Sequence, residues 1–169
     1  MKRIAFLIFS MFFMLVPMAS AANWVQFEIK ELDGSSDLST DYFDADSVMC
    51  QVDANGDLER IYYWEKRVYP STTDSKIDYQ IGFVRYDKAD YRGYDALMYS
   101  HFATGSALFQ HPVEWTDRGK TDGDKAVETK KAEQVMVKEI ERGKAGMHLH
   151  RIRTPLSLLE IEIPDNLIK

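Results

Sequence analysis

Residues 52–70 read "VDANGDLERIYYWEKRVYP" and join a turn signal to a long aromatic segment. Asn55-Gly56 predicts a two-residue hairpin turn, because both residues accept positive φ at little cost. The "LERIYYWEKRVY" that follows is dense in aromatic and β-branched residues, which favour strands. This stretch therefore predicts two antiparallel strands around one turn.

The same turn has an alternative reading as a metal site. Asp53, Asn55 and Asp57 have the first three ligand spacings of a calcium loop. An EF-hand loop starting at Asp53 would need glycine at its sixth position and glutamate at its twelfth, where this chain has Leu58 and Trp64. We therefore favour the hairpin, with the two aspartates as solvated residues beside its tip.

Further strand patterns lie on both sides of this hairpin. In "NWVQFEIKEL" the alternation places Val25, Phe27 and Ile29 on one face and predicts a half-buried strand. More strands are predicted in "YFDADSVMCQV", "KIDYQIGFVRYD", "YDALMYSHFATGSALFQ" and "MHLHRI". The mature chain, residues 22–169, is expected to form one domain.

The C-terminal part has a different pattern. Residues 126–143, "AVETKKAEQVMVKEIERG", have apolar residues at helical spacing and predict a helix. Residues 154–163, "TPLSLLEIEI", fit a short helix or a strand about equally. The predicted fold class is α+β: a single antiparallel meander of about six strands, with one or two C-terminal helices packed on it.

Residues 1–21, "MKRIAFLIFSMFFMLVPMASA", have the form of a secretory signal peptide. A basic start precedes an apolar run of roughly 13 residues, whereas a membrane span needs about 20. Cleavage would take Lys+Arg from 21 to 19 against 27 Asp+Glu, and the formal net charge from −6 to −8. We expect an exported protein, in the periplasm or at the cell surface or secreted, that repels nucleic acid and has no membrane span after cleavage.

The aromatic residues of the long strand supply the first candidate site. Tyr62 and Trp64 share one face of the strand and Tyr63 lies on the other. Both faces therefore carry aromatic side chains that must be shielded from solvent. Ordinary core packing is one explanation. A protein partner or a second copy of the chain, in contact with Tyr62, Trp64 and Tyr69, is the other.

Other candidate residues give weaker signals. His148 and His150 share a face of a predicted strand and could bind zinc or copper with a third ligand. Cys50 is the single cysteine, and strand alternation predicts a buried thiol. Loop carboxylates could bind calcium or form an acid–base pair: Asp33, Asp37, Asp41, Asp44 and Asp46. No nucleophile elbow, Walker loop or dinucleotide motif is present, so we predict no enzyme activity and no cofactor.

Residues 23–116 resemble the surface-adhesin E family of exported bacterial proteins. The matching features, in chain order, are Trp24, "DYFDADSV" (41–48), "ERIYYWEKRVY" (59–69) with Trp64-Glu65-Lys66 at its centre, "YDALMYSHFATGSAL" (94–108) and Trp115. Family members often carry a cysteine pair that joins a later strand to a C-terminal helix, and this chain has only Cys50. Residues 117–169 do not match.

The resemblance implies an antiparallel sheet with a helix, and binding of host extracellular-matrix or plasma proteins, often as a dimer. The leading hypothesis is therefore an exported, non-enzymatic binding protein that contacts its partner near Tyr62, Trp64 and Tyr69. The alternative hypothesis is a periplasmic module that binds a small ligand or a metal through His148 and His150.

Overall fold

The computed structural model describes residues 21–31, 38–70, 76–89, 92–117 and 150–168. These residues form one nine-stranded sheet. Its strands are β1 (Trp24–Glu31), β2 (Leu38–Asp44), β3 (Met49–Val52), β4 (Leu58–Val68), β5 (Ile77–Asp87), β6 (Arg92–Phe102), β7 (Ala107–Phe109), β8 (Thr116–Asp117) and β9 (His150–Ile152). A 3₁₀ turn at Leu158–Glu160 and a four-residue helix, α1 (Asp165–Ile168), lie near the C-terminus.

Strand β4 lies at the centre of the sheet because three strands pair directly with it. β5 pairs along one side, while β2 and β3 share the other side at opposite ends of β4. The chain passes from β2 to β3 at residues 44–48, where the Asp44 carboxylate accepts a hydrogen bond from the Asn23 N–H at 2.8 Å. β1 extends the sheet beyond β2, and β9 pairs with β3 in parallel. β6 pairs with β5, and β7 and β8 both pair with β6.

The predicted hairpin between β3 and β4 is present, but its turn is longer than expected. The Asp53 N–H bonds to the carbonyl of Asp57 at 2.9 Å, and the Gly56 N–H bonds to the carbonyl of Asp53 at 3.1 Å. These bonds enclose a three-residue loop that ends on Gly56, whose φ is 91°. The Asp53 carboxylate accepts the N–H groups of Asn55 and Asp57, both at 2.8 Å, so it closes the turn itself.

Strand β1 is present, but its predicted inward face is wrong at Val25. The pairing with β2 shifts register between Gln26 and Glu28, which marks a β-bulge. Trp24 packs against a core cluster, whereas Val25 is 40% exposed. A bulge interrupts the alternation of a strand, and a sequence pattern of strict alternation does not anticipate it.

Both faces of β4 are covered, and they carry two separate clusters. We call the side with Ile61, Tyr63, Glu65 and Arg67 the odd face, and the side with Tyr62, Trp64 and Lys66 the even face. The odd face holds a buried cluster of Phe43, Ala45, Val48, Cys50, Ile61, Tyr63, Val84 and Tyr86. The even face holds Tyr62, Trp64, Ile81, Phe83, Met98, Tyr99 and Leu167.

The C-terminal segment covers the even face without a long helix. Leu156, Ile161 and Ile163 pack there from chain that is neither helix nor strand, apart from the 3₁₀ turn. Pro155 and Pro164 explain part of this, since proline disfavours helical conformation in the residue before it. Residues 154–163 are thus neither of the two predicted elements, a helix or a strand, but irregular chain with one 3₁₀ turn.

The α+β prediction, with helices packed on the sheet, is therefore wrong: the described residues form a predominantly antiparallel β fold. The sheet has nine strands where about six were expected, partly because the single strand predicted at residues 42–52 is divided into β2 and β3. The short strands β7 and β9 lie in segments predicted as strands, whereas the two-residue β8 was not predicted, since so short a strand has almost no sequence pattern. The predicted helix at 126–143 and most of the predicted leader lie outside the described residues.

Candidate functional site

A polar pocket lies on the odd face, where β4, β5 and β6 run side by side. It encloses about 140 Å³. This volume has room for a single side chain or a very small molecule, whereas drug-sized ligands occupy pockets of about 300–1,000 Å³. The residues that line this polar pocket are Glu65, Arg67, Gln80, Gly82, Asp95 and Leu97.

Gly82 and a β-bulge shape the floor of the polar pocket. Gly82 pairs with Leu97, but its neighbour Ile81 pairs with Tyr99, so β6 has one extra residue here. A methyl group at Gly82 would lie 3.3 Å from the carbonyl oxygen of Ala96, closer than most such contacts. Glycine in a strand interior often marks a bulge or a close approach, and it leaves the floor open here.

Arg67 is held on one wall of the polar pocket by a carboxylate on the neighbouring strand β2. Its Nε and Nη2 donate to the two carboxylate oxygens of Asp41 at 2.8 and 2.9 Å, in a bidentate pair. A Glu65 oxygen lies 3.5 Å from Nη2. The Asp41 side chain is fully buried, whereas that of Arg67 is 30% exposed. The guanidinium is therefore anchored by a buried carboxylate, although the Arg67 side chain as a whole is partly exposed.

Gln80 is oriented by hydrogen bonds on both ends of its amide. Its Nε2 donates to the Ser100 hydroxyl at 3.1 Å, and its Oε1 accepts from the Tyr69 hydroxyl at 2.6 Å. Tyr69, one of the three predicted contact residues, is half-buried beside the polar pocket. The polar pocket thus presents groups whose directions are set by rigid strands.

The other two predicted contact residues, Tyr62 and Trp64, lie in the core of the even face. They are 1% and 4% exposed, and both pack on Phe83, with ring centroids 6.1 and 4.9 Å apart. The Tyr62 hydroxyl donates to Gln51 Oε1 at 3.1 Å. The structure therefore does not bring Tyr62 and Trp64 together with Tyr69 on an open surface, and their role in binding stays a prediction.

Farther along the even face, Lys66 lies between two aromatic rings. Its Nζ is 4.3 Å from the ring centre of Tyr79 and 5.6 Å from that of Trp24. Burial lowers the pKa of Lys66. Burial, with a smaller contribution from Tyr99, raises the pKa of Tyr79 to about 12. This cluster connects β1, β4 and β5 and belongs to the packing of the even face.

The predicted metal ligands do not form a site among the described residues. His150 is exposed on β9, and His148 lies outside the described residues. In that part of the chain no group of three or more His, Cys, Asp or Glu residues could hold a metal ion. Asp44 and Asp46 bond to Asn23 at the corner between β2 and β3. The side chains of Asp33 and Asp37 are outside the described residues.

Cys50 lies in the odd-face cluster at 6% exposure, as the strand alternation predicts. Burial raises the pKa of its thiol, and the positive charge of Arg151 opposes this only partly. A protonated, enclosed thiol is a poor nucleophile, so Cys50 acts here as a small core residue.

Most of the residues that line the polar pocket were not predicted from the sequence, although the sequence contains two indications of them. Arg67 and Glu65 are the polar alternates on an otherwise aromatic strand, so they had to share a face. Gly82 interrupts a strand pattern, which often indicates a bulge. Gln80, Asp95 and Leu97 carry no comparable signal, because only strand register brings them beside Arg67.

Comparisons of this chain with protein-family models, with curated proteins and with solved structures found no match. Within the described ranges, no helix has the length and apolar character required to span a membrane.

Proposed function

We propose that this chain is an exported, non-enzymatic binding protein that holds one side chain of a protein partner in the polar pocket. The observation that carries the proposal is the guanidinium of Arg67, which the buried carboxylate of Asp41 holds in place while the Arg67 side chain stays 30% exposed. Arginine is enriched at protein interfaces, and a guanidinium that is already held in place loses little side-chain conformational entropy on binding.

The volume of the polar pocket supports a protein partner over a substrate or cofactor. About 140 Å³ suits one inserted side chain, with the surrounding strand surface as the remaining contact area. Leu97, which is 36% exposed, supplies an apolar wall beside the polar groups. Export, and a host matrix or plasma protein as partner, rest on the leader pattern and on the adhesin E resemblance of residues 23–116.

The test is binding of the purified protein to an immobilised panel of matrix and plasma proteins, titrated with salt. Leu97→Glu adds a charge at the wall of the polar pocket, and we expect it to weaken saturable binding at least about tenfold. Val25→Glu is the matched control. Val25 has a similar exposure of 40%, and it lies on β1, which β2, β4 and β5 separate from β6. Equal binding by Leu97→Glu and the wild type would contradict the proposed site, and no saturable binding to any panel member would contradict the partner class.

A further inference from the structure

Among the strands that the structure describes, β7 forms an exposed edge of the sheet. It is the last strand in the order and pairs with β6 on one side. All three of its residues are exposed, with Leu108 at 48% and Phe109 at 62%. An exposed edge with apolar side chains is a template for pairing with another strand.

The hydrogen-bond pattern shows which backbone groups of β7 point outward. The Phe102 N–H donates to the carbonyl of Ser106 at 2.9 Å, and the Gln110 N–H donates to the carbonyl of Met98, also at 2.9 Å. Bonded and non-bonded pairs alternate in antiparallel strands, so Leu108 is the next residue that bonds toward β6. The N–H and C=O groups of Ala107 and Phe109 therefore point to the outer edge, where no described strand pairs.

This edge belongs to an uncharged part of an acidic chain. Residues 96–113 contain no Asp, Glu, Lys or Arg, although 28% of the whole chain is charged and its net charge is −6. Two copies of an acidic protein repel each other, so they approach most easily through a strand that carries no like charges. The absence of charge favours a second copy over a basic partner, which would gain from acidic residues at the contact.

We infer that a second copy of this chain pairs antiparallel with β7, around a two-fold axis at Leu108. In this register Ala107 lies opposite Phe109 of the second copy, so that every outward N–H meets an outward C=O. Leu108 then lies opposite Leu108 of the second copy as the closely spaced, non-hydrogen-bonded pair, and its exposed side chain becomes covered. The interface is isologous, as expected for a two-fold dimer.

This interface lies on the edge of the sheet, apart from the buried face of Tyr62 and Trp64 where a dimer contact was predicted. The interface does not use the residues that line the polar pocket, so the inference does not depend on the proposed function. The strand is only three residues long and Pro112 follows it, so the contact area is small. We expect a weak dimer that forms at about 10 µM to about 1 mM protein.

Sedimentation velocity across that concentration range tests the inference. We expect the wild type to shift from one chain to two, and Leu108→Lys to stay monomeric, because it places two like charges at the axis. Leu159→Lys is the matched control, since Leu159 is 60% exposed outside the strands, and it should dimerise like the wild type. A wild type that is monomeric throughout would overturn the inference.

A charge-pair mixture tests the register itself. Leu108→Lys and Leu108→Glu should each be monomeric, and an equal mixture should form a dimer, because residue 108 faces residue 108 only around this axis. Ala107→Pro removes an outward N–H without touching the bonds to β6, and should weaken the dimer at least about tenfold. Thermal melting of each variant checks that it folds. No dimer in the mixture, or dimers of Leu108→Lys alone, would overturn the register.

Discussion

The guanidinium of Arg67 donates two parallel hydrogen bonds to the buried carboxylate of Asp41, at 2.8 and 2.9 Å. The two residues are direct cross-strand partners of β4 and β2, and they are 26 positions apart in the chain. The pair joins β2 to the centre of the sheet and sets the direction of the guanidinium in the polar pocket.

Replacing Arg67 with methionine should lower the free energy of unfolding by about 3 kcal/mol, because the buried carboxylate of Asp41 loses its bidentate partner. Arg60→Met is the matched control on the same strand. Its partner Asp87 is 18% exposed and keeps Arg85 Nε at 3.2 Å, so loss of this ion pair should cost less than about 1 kcal/mol. Urea unfolding measures both. Equal losses in the two variants would contradict a special role for Asp41.

Trp64→Ala should destabilise the protein by about 3–5 kcal/mol, because it removes a large side chain that is 4% exposed in the even-face core. Phe109→Ala removes an aromatic ring that is 62% exposed and should cost less than about 1 kcal/mol. Urea unfolding at a protein concentration below that of dimer formation compares them. A Trp64→Ala variant with wild-type stability would show that this face is not a packed core.

The pKa of Tyr79, raised to about 12, predicts a stability loss in alkaline solution. An unfolded tyrosine ionises near pH 10. Because the folded-state pKa is higher, the contribution of neutral Tyr79 is complete below about pH 10 and is lost as the pH rises to about 12. Tyr79→Phe keeps the ring and should show a shallower fall in melting temperature across this window.

The control for Tyr79→Phe is Tyr94→Phe, since the Tyr94 ring also stacks under a cation, Arg85, at 4.1 Å. Both variants lose one hydroxyl and keep a ring–cation contact. Identical alkaline profiles for the Tyr79→Phe variant and the wild type would show that burial does not raise this pKa.

The Cys50 thiol should react slowly in the native protein. Its 6% exposure and raised pKa both reduce the fraction of accessible thiolate. With a disulfide reagent at pH 8 we expect labelling at least about 100-fold slower than in denaturant, at a rate limited by opening of the fold. Cys50→Ala supplies the blank. Complete labelling of the native protein within the mixing time would contradict its place in the odd-face cluster.

Local pattern was enough to predict much of the sheet. The aromatic segment before Tyr69 became β4, Asn55-Gly56 lay in a hairpin, and Cys50 was buried on its strand. Each of these depends on neighbours within a few residues, through alternation or turn conformation. The turn type was wrong by one residue, because the Asp53 carboxylate closes a longer loop.

Pairing between distant residues decided the rest. The bulge in β1 arises from its pairing with β2, and the cover over Tyr62 and Trp64 came from the C-terminal segment with Leu156, Ile161 and Ile163. The polar pocket exists because register places Arg67, Gln80 and Gly82 side by side. The alternation of apolar and polar residues is a property of each local segment, so the sequence alone predicted the strands. Register, bulges and the cover of each face arise from contacts between distant segments, and so the site appeared only in the folded sheet.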